Sequence, residues 1–268
     1  MNDQGARAEP VLLSAGGNGS GNGIATLTLN RPAQYNALSE ALLDELGRAL
    51  DRLAGDQSVR VVVLAANGKA FCAGHDLKQM RRHDDHAYQH KLFSKCSEVM
   101  TKLVGLPQPV IARVQGMATA AGCQLVASCD LAVAADTAQF AVSGVRVGLF
   151  CSTPAVALSR NISRKRAMEM LLTGEFIDAD TALRYGLINR SVAAHELDNA
   201  VDELACGIAS KPPRVIQLGK QRFYRQLEQG LGNAYAGATD TMSDNMMLPE
   251  TREGIDAFIE KRKPDWPA

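Results

Sequence analysis

The chemistry on offer in this 268-residue chain lies mostly in backbone groups at two turns, not in reactive side chains. Residues 109–136, PVIARVQGMATAAGCQLVASCDLAVAAD, read as a buried strand (110–114), a small-residue turn (116–122), a helix (about 121–128) and a second buried strand (131–135). Gly, Ala and Thr at the turn leave room for something to lie against the main chain. The helix start aims N–H groups that lack a helical partner, and the positive end of its dipole, at whatever lies there. An anion, or an oxygen gaining charge during a reaction, suits that place. The same composition also serves a plain tight joint packed on core. A second strand–glycine–helix joint, Phe71-Cys72-Ala73-Gly74-His75-Asp76-Leu77, has the same build.

Three other groupings carry less. The glycines of 16–23 have phosphate-loop-like spacing, but they lead into a strand, whereas dinucleotide binding needs strand, glycines, then helix. A flexible hairpin loop is expected there. His86 and His90 share a helix face within the polar stretch 81–90, but no HExxH arrangement surrounds them, so a solvated surface segment is expected and no metal site. Six cysteines sit mostly inside apolar runs without CxxC spacing, as reduced buried thiols do.

The elements that must position the two joints follow from periodicity. Strands are expected at 11–14, 24–30 and 59–66; the last is an unbroken β-branched run, the mark of a strand covered on both faces. A polar loop spans 30–36, and Ser39 caps a helix whose Leu42, Leu43, Leu46, Leu50 and Leu53 share one side. An amphipathic helix covers 93–106. Short apolar segments at 138–142 and 145–150 surround Gly144 and Gly148, and Thr153-Pro154 reads as a helix start. Helices are expected at 163–172 and 178–185, a short strand at 187–192, then helices at 196–210, 213–227, 232–247 and 252–262. The organisation is an α/β core over 1–192 and a helical region over 193–268.

Apolar residues make up 46% of the chain, enough for a large core, and Lys+Arg and Asp+Glu both number 29. Zero formal charge gives no basic face for nucleic acid. The N-terminal residues lack an apolar h-region and no run has the length of a membrane span, so a soluble cytoplasmic protein is expected, with neither nucleic acid nor membrane as partner.

AFCAGHDL and VQGMATAAGCQLVASCDLAVAADTAQF resemble the enoyl-CoA hydratase/isomerase (crotonase) superfamily. LTLNRPAQYNAL, MEMLLTGEFIDADTALRYGLIN and EGIDAFIEKRKPDW extend the resemblance over residues 24–266. It implies an α/β fold, a crotonase-like spiral of ββα units with a helical C-terminal oligomerisation region, assembled as a homotrimer or dimer of trimers. It also implies acyl-CoA thioester substrates, with coenzyme A arriving as part of the substrate and no other cofactor. The family's oxyanion hole, two backbone N–H groups on the thioester oxygen, falls on His75 and Ala121. The nucleotide end would be lined by 31–38 and 73–78, with Arg31, Asn36, Ala37, Ala73, His75 and Lys78, and Lys261 would approach the phosphates or adenine.

The departures are chemical. Hydratases of the family add water with two glutamates; their positions fall on Gln124 and Gly144, and an isomerase carboxylate position falls on Ser152. Gln has no titratable proton, Gly no side chain, and Ser is a poor base without a partner. The chain resembles most the hydratase-domain-containing subgroup with ATAAGCQLVASCD and VGLFCSTP, which shares this loss. Three functions follow from the resemblance: an enoyl-CoA hydratase/isomerase of fatty acid metabolism with impaired hydration, a decarboxylase of malonyl-type acyl-CoA, or an acyl-CoA-binding protein with little turnover. Some family decarboxylases carry AGHD with the His at the hole, as His75 would be; alternatively only its backbone matters and the ring packs beside the ligand. Cys123 and Cys151 fall near the presumed site without a His or Asp in readable arrangement, so structural thiols are expected.

Overall fold

A computed structural model describes residues 9–17 and 20–266. The chain opens with a hairpin in which β1 (Val11–Gly17) runs antiparallel to β2 (Ser20–Leu29), Val11 opposite Leu29. These strands reach further than the expected flexible loop allows. Main-chain hydrogen bonding needs no side chain, so the glycines pair as strand, and only residues 18 and 19, outside the described set, separate them. Ser39 caps α1 (Glu40–Gly55), accepting from Leu42 N–H at 3.3 Å, and the five expected leucines are buried.

Three successive stretches then repeat one plan: a long strand into one sheet, a short strand into a second sheet, then helix. The first is β3 (Val61–Ala66), β4 (Ala70–Cys72), α2 (Leu77–Arg81) and α3 (His86–Gly105). The second is β5 (Val110–Val114), β6 (Met117–Thr119) and α4 (Ala121–Ser128). The third is β7 (Leu131–Ala135), β8 (Gln139–Ala141), a 3₁₀ turn (Ser143–Val147) and α5 (Ser152–Asn161). After α6 (Arg164–Thr173), β9 (Ile177–Asp178), α7 (Ala179–Tyr185) and β10 (Arg190–Val192), the sheets are complete. One has the order β1-β2-β3-β5-β7-β10 and the other β4-β6-β8-β9. The long strands β3, β5 and β7 pair in parallel, as do the short strands β4, β6 and β8, which makes the chain a spiral of ββα units.

The unbroken apolar run of β3 is explained by two cores. Val62, Leu64 and Ala66 face the interior with α1, α3 and α4, while Val61, Val63 and Ala65 face Leu197, Val201, Ala205 and Ala209 of α8 (Leu197–Ala209). The helix that follows the 192/193 division therefore covers the outer face of the six-stranded sheet. Beyond it run α9 (Pro213–Leu227), α10 (Leu231–Met246) and α11 (Pro249–Ile259). A half-buried cluster ties α9 to the core: Lys220 Nζ is 2.7 Å from Asp130 Oδ2, the Tyr224 hydroxyl donates to Asp130 Oδ1 at 2.9 Å, and Val110 N–H donates to Asp130 Oδ2 at 2.6 Å.

Two further expectations are corrected. α3 begins at His86 and not at 93, capped by Asp85 accepting from Tyr88 N–H at 2.7 Å; His86 and His90 lie in its first turns and are exposed to solvent as expected. α5 begins at Ser152, so Thr153 is inside the helix and Cys151 precedes it without a side-chain cap. Among the described residues no helix is long and apolar enough to cross a membrane, and no group of three or more His, Cys, Asp or Glu could hold a metal ion.

Candidate active site

The joint after β4 is held by the loop before α1. Leu38 N–H donates to Gly74 O at 2.8 Å and Asp76 N–H donates to Leu38 O at 3.1 Å, a parallel bridge that brackets His75. In such a bridge the bracketed residue's own N–H points away from the partner strand, and His75 N–H has no acceptor among the described residues. Asn36 anchors the loop: its side-chain amide donates to Asn67 O and Ala70 O, both at 2.9 Å, and its Oδ1 accepts from Arg31 N–H at 2.8 Å. Arg31 in turn donates to Ala37 O at 2.7 Å and reaches Asp76 Oδ2 at 3.3 Å.

The joint after β6 is the more strained. Ala120 sits at φ 50°, ψ −120°, a backbone state that costs a non-glycine residue on the order of 1–3 kcal/mol. Its N–H donates to Ala141 O at 2.9 Å and its carbonyl starts α4 by accepting from Gln124 N–H at 3.1 Å. Between them Ala121 N–H is left without an acceptor among the described residues. Gly122 permits this packing, because a Cβ there would run into the Cys72 carbonyl oxygen. Gly74, at φ +85°, meets the same turn, and a Cβ on it would lie 2.9 Å from Ala120 Cβ and 3.3 Å from Ala121 N. The two glycines let the joints touch, so His75 and Ala121 border one space.

That space is a cavity of about 340 Å³. Ala73, His75, Leu77 and Met80 line it from the first joint, Phe93 from α3, Ala120 and Ala121 from the second joint. Ser143, Gly144, Val147, Leu149 and Phe150 come from the 3₁₀ turn and its exit, and Cys151, Ser152, Thr153 and Pro154 from the start of α5. No Asp, Glu, Lys or Arg is among them. The His75 ring packs edge-on to Phe93 (centroids 5.2 Å apart, 84° between planes), its Nε2 is buried without a partner, and burial lowers its pKa to about 4. It is a neutral imidazole at pH 7. The Cys151 sulfur accepts from Gly144 N–H at 3.3 Å, and burial pushes its pKa up, so it remains a thiol. A larger groove of about 850 Å³ along α3 shares Phe93 and Thr153 with the cavity and includes neither joint.

The sequence-derived site residues are thus only partly gathered. His75, Ala73, Ala121, Gly144 and Ser152 line the cavity. Gln124 does not: it is 4% exposed inside α4, its Oε1 without a partner. Cys123 is likewise interior. Asn36, Arg31 and Ala37 lie in the loop that brackets the first joint, where their hydrogen bonds hold it in place, and none of the three lines the cavity. Lys78 is exposed on α2 beside the cavity rim, and Lys261 is exposed past α11, where no cavity residue lies. Ser143, Thr119, Phe93 and Met80 were missed. The signal available for Ser143 was its place beside Gly144, the position of an absent carboxylate.

The family profile for enoyl-CoA hydratase/isomerase matches residues 19–268. The chain belongs to the enoyl-CoA hydratase/isomerase family. A rat relative, the mitochondrial enoyl-CoA hydratase domain-containing protein 3, is 47% identical over 262 residues, covering 98% of this chain and 86% of that protein. Of solved structures, an enoyl-CoA hydratase of Mycobacterium smegmatis is 56% identical with a TM-score of 0.93, covering 96% of this chain and 98% of that one. The human enoyl-CoA hydratase domain-containing protein 3 is 45% identical with a TM-score of 0.91, covering 96% and 100%. The fold is accordingly the crotonase fold, and the family's subgroup is that of the hydratase-domain-containing proteins.

Proposed function

We propose that this chain binds acyl-CoA thioesters in the 340 Å³ cavity, the thioester oxygen held by the N–H groups of His75 and Ala121. What supports the reading is two backbone donors without acceptors among the described residues, both on residues that line one cavity. Two such donors, placed where an oxygen gains charge, stabilise the enolate of the thioester, each by roughly 3–4 kcal/mol in comparable sites. The family's nominal reaction is hydration or isomerisation of enoyl-CoA in fatty acid metabolism, but the cavity supplies no carboxylate for it. Gly144 has no side chain, Gln124 is interior, and the Ser152 hydroxyl's one hydrogen-bond partner among the described residues is Phe150 O at 3.5 Å.

That lack of a lining carboxylate favours a second reading, decarboxylation of a malonyl-type acyl-CoA. The bond from the α-carbon to the carboxylate breaks, CO₂ leaves, and the electron pair passes into the thioester as an enolate on the two N–H groups. The α-carbon then takes a proton from solvent. No protein base is needed, and the neutral His75 ring packs beside the acyl group. A third outcome is binding with little turnover. No resident cofactor or metal forms part of the proposal.

Lys78 would meet the phosphates of the nucleotide and Lys261 those of the same or a neighbouring subunit, contacts that weaken with salt. We also propose a homotrimer or dimer of trimers built through the C-terminal helices, where Leu231, Tyr235, Met242, Met247, Phe258 and Ile259 are exposed. A cytoplasmic location belongs to the same proposal and rests on the sequence, since the rat relative is mitochondrial by name. Calorimetry at low salt tests binding, and a mass-spectrometric panel of acyl-CoAs separates the three outcomes. Absence of heat with CoA and every acyl-CoA refutes the reading.

A further inference from the structure

We infer that Ser143, held by Thr119, selects an acyl thioester bearing a free carboxylate on its α-carbon; this rests on the acyl-CoA reading of the cavity. Thr119 ends β6, directly before the turn that frees Ala121 N–H, and its residue is 6% exposed. Its Oγ1 lies 2.9 Å from Ser143 Oγ. Each hydroxyl has one proton and two lone pairs, so one member of the pair donates and the other keeps its proton free. Thr119 is enclosed by protein, with Ser143 as its hydroxyl's one partner among the described residues. Either hydroxyl can donate by geometry; we take Thr119 as the donor, because an enclosed Thr119 that accepted would leave its own proton without a partner. The Ser143 proton is then left for the cavity that Ser143 lines together with His75 and Ala121.

The setting suits an anion. A family hydratase would hold a glutamate at 144, one residue on, and a carboxylate there would repel a second carboxylate on the substrate. Gly144 removes that repulsion, and Ser143 puts a donor in its place. Val147, Leu149 and Phe150 form the adjoining wall without competing side-chain donors. One directed hydrogen bond from Ser143 would fix the rotation of the carboxylate about its bond to the α-carbon. Loss of CO₂ requires that bond to stand across the thioester plane, so that its electrons enter the carbonyl system. Ser143 touches the substrate in this arrangement; Thr119 is a positioning residue acting through it.

The test is titration calorimetry with sulfoacetyl-CoA, whose sulfonate mimics the carboxylate but cannot leave as CO₂, against acetyl-CoA. Wild type is expected to prefer the sulfonate by about ten-fold or more, the size of a hydrogen bond to a charged group. Ser143→Ala should bring the ratio of affinities to within about two-fold of one, and Ser143→Thr should keep the preference. Thr119→Val should lower the ratio as Ser143→Ala does, and Thr119→Ser should restore it, which a merely structural role would not produce. Equal affinities in wild type, or a preference that survives Ser143→Ala, overturns the inference while leaving the acyl-CoA reading standing. Wild type that binds neither thioester overturns both.

Discussion

Restoring the family glutamate at position 144 tests whether the cavity has been correctly drawn. A Cβ on Gly144 would run into the Leu149 carbonyl oxygen and lie 2.7 Å from Cys151 Sγ. Neither is a flexible side-chain end: one is backbone, and the other is held by the Gly144 N–H at 3.3 Å. The turn 143–149 must therefore move. Overpacking of this kind costs about 1–3 kcal/mol or somewhat more, and losing the bond to Cys151 adds about 1 kcal/mol. At about 2–4 °C per kcal/mol for a chain of this size, Gly144→Glu should unfold about 10 °C below wild type. Hydration should not appear, because it needs two groups that each supply about 10²–10⁴-fold and act together. Gln124→Glu adds a carboxylate inside α4 and not at the cavity wall. Loss of the conjugated-thioester absorbance of crotonyl-CoA, followed beside thermal unfolding, is the assay. Wild type and the Gln124→Glu and double variants should all turn over far below about ten per second. A double variant that unfolds with wild type and hydrates at that rate would refute the geometry assigned to Gly144.

Gly74→Ala should part the two joints: its φ of +85° costs an alanine about 1–2 kcal/mol, and the new methyl meets Ala120 Cβ at 2.9 Å. Acyl-CoA binding is expected to vanish from calorimetry, and retained affinity contradicts the contact. His75, with its pKa lowered to about 4, stays neutral in the fold while the unfolded chain takes up a proton below pH 6.5. Its stability contribution is present above pH 6.5 and is lost as pH falls to about 4, by at most about 3 kcal/mol. Urea midpoints of wild type should therefore drop more steeply from pH 7 to 4 than those of His75→Asn, and parallel curves would contradict this. Lys220→Ala removes the cation from the part-buried Asp130 while Tyr224 and Val110 N–H still donate to it, and should cost about 1.5–3 kcal/mol in chemical denaturation; a change below about 0.5 kcal/mol would show that α9 is held by packing alone.

Much of the fold was legible because its signals are local. Val110–Val114, Ala121–Ser128 and Leu131–Ala135 are bounded as the sequence predicts, since apolar runs and small-residue turns mark strand and helix ends directly. The hairpin was harder: Gly, Asn and Ser lower strand propensity, yet pairing across β1 and β2 overrides propensity. α3 begins earlier than periodicity suggests because Asp85 caps a turn whose first residues are polar.

The two small-residue joints were determined by the sequence, because a missing Cβ is a property of a few consecutive residues; that the N–H groups of His75 and Ala121 lack acceptors among the described residues was decided by the Leu38 bridge and the Ala120–Ala141 bond beside them. Which side chains meet them was decided only by the tertiary structure. Asn36 and Arg31, placed at a ligand by the resemblance, also hold their own loop through hydrogen bonds to residues 31 to 45 positions further on, which spacing along the chain does not show. Gln124 belongs to a helix whose every residue is buried, and it does not line the cavity. Ser143 and Thr119 lie 24 residues apart and become a pair because β6 and β8 run side by side in the second sheet. Spacing along a chain reports one element at a time; the cavity is built where α2, α3, α4, the 3₁₀ turn and α5 converge, and only packing brings them there.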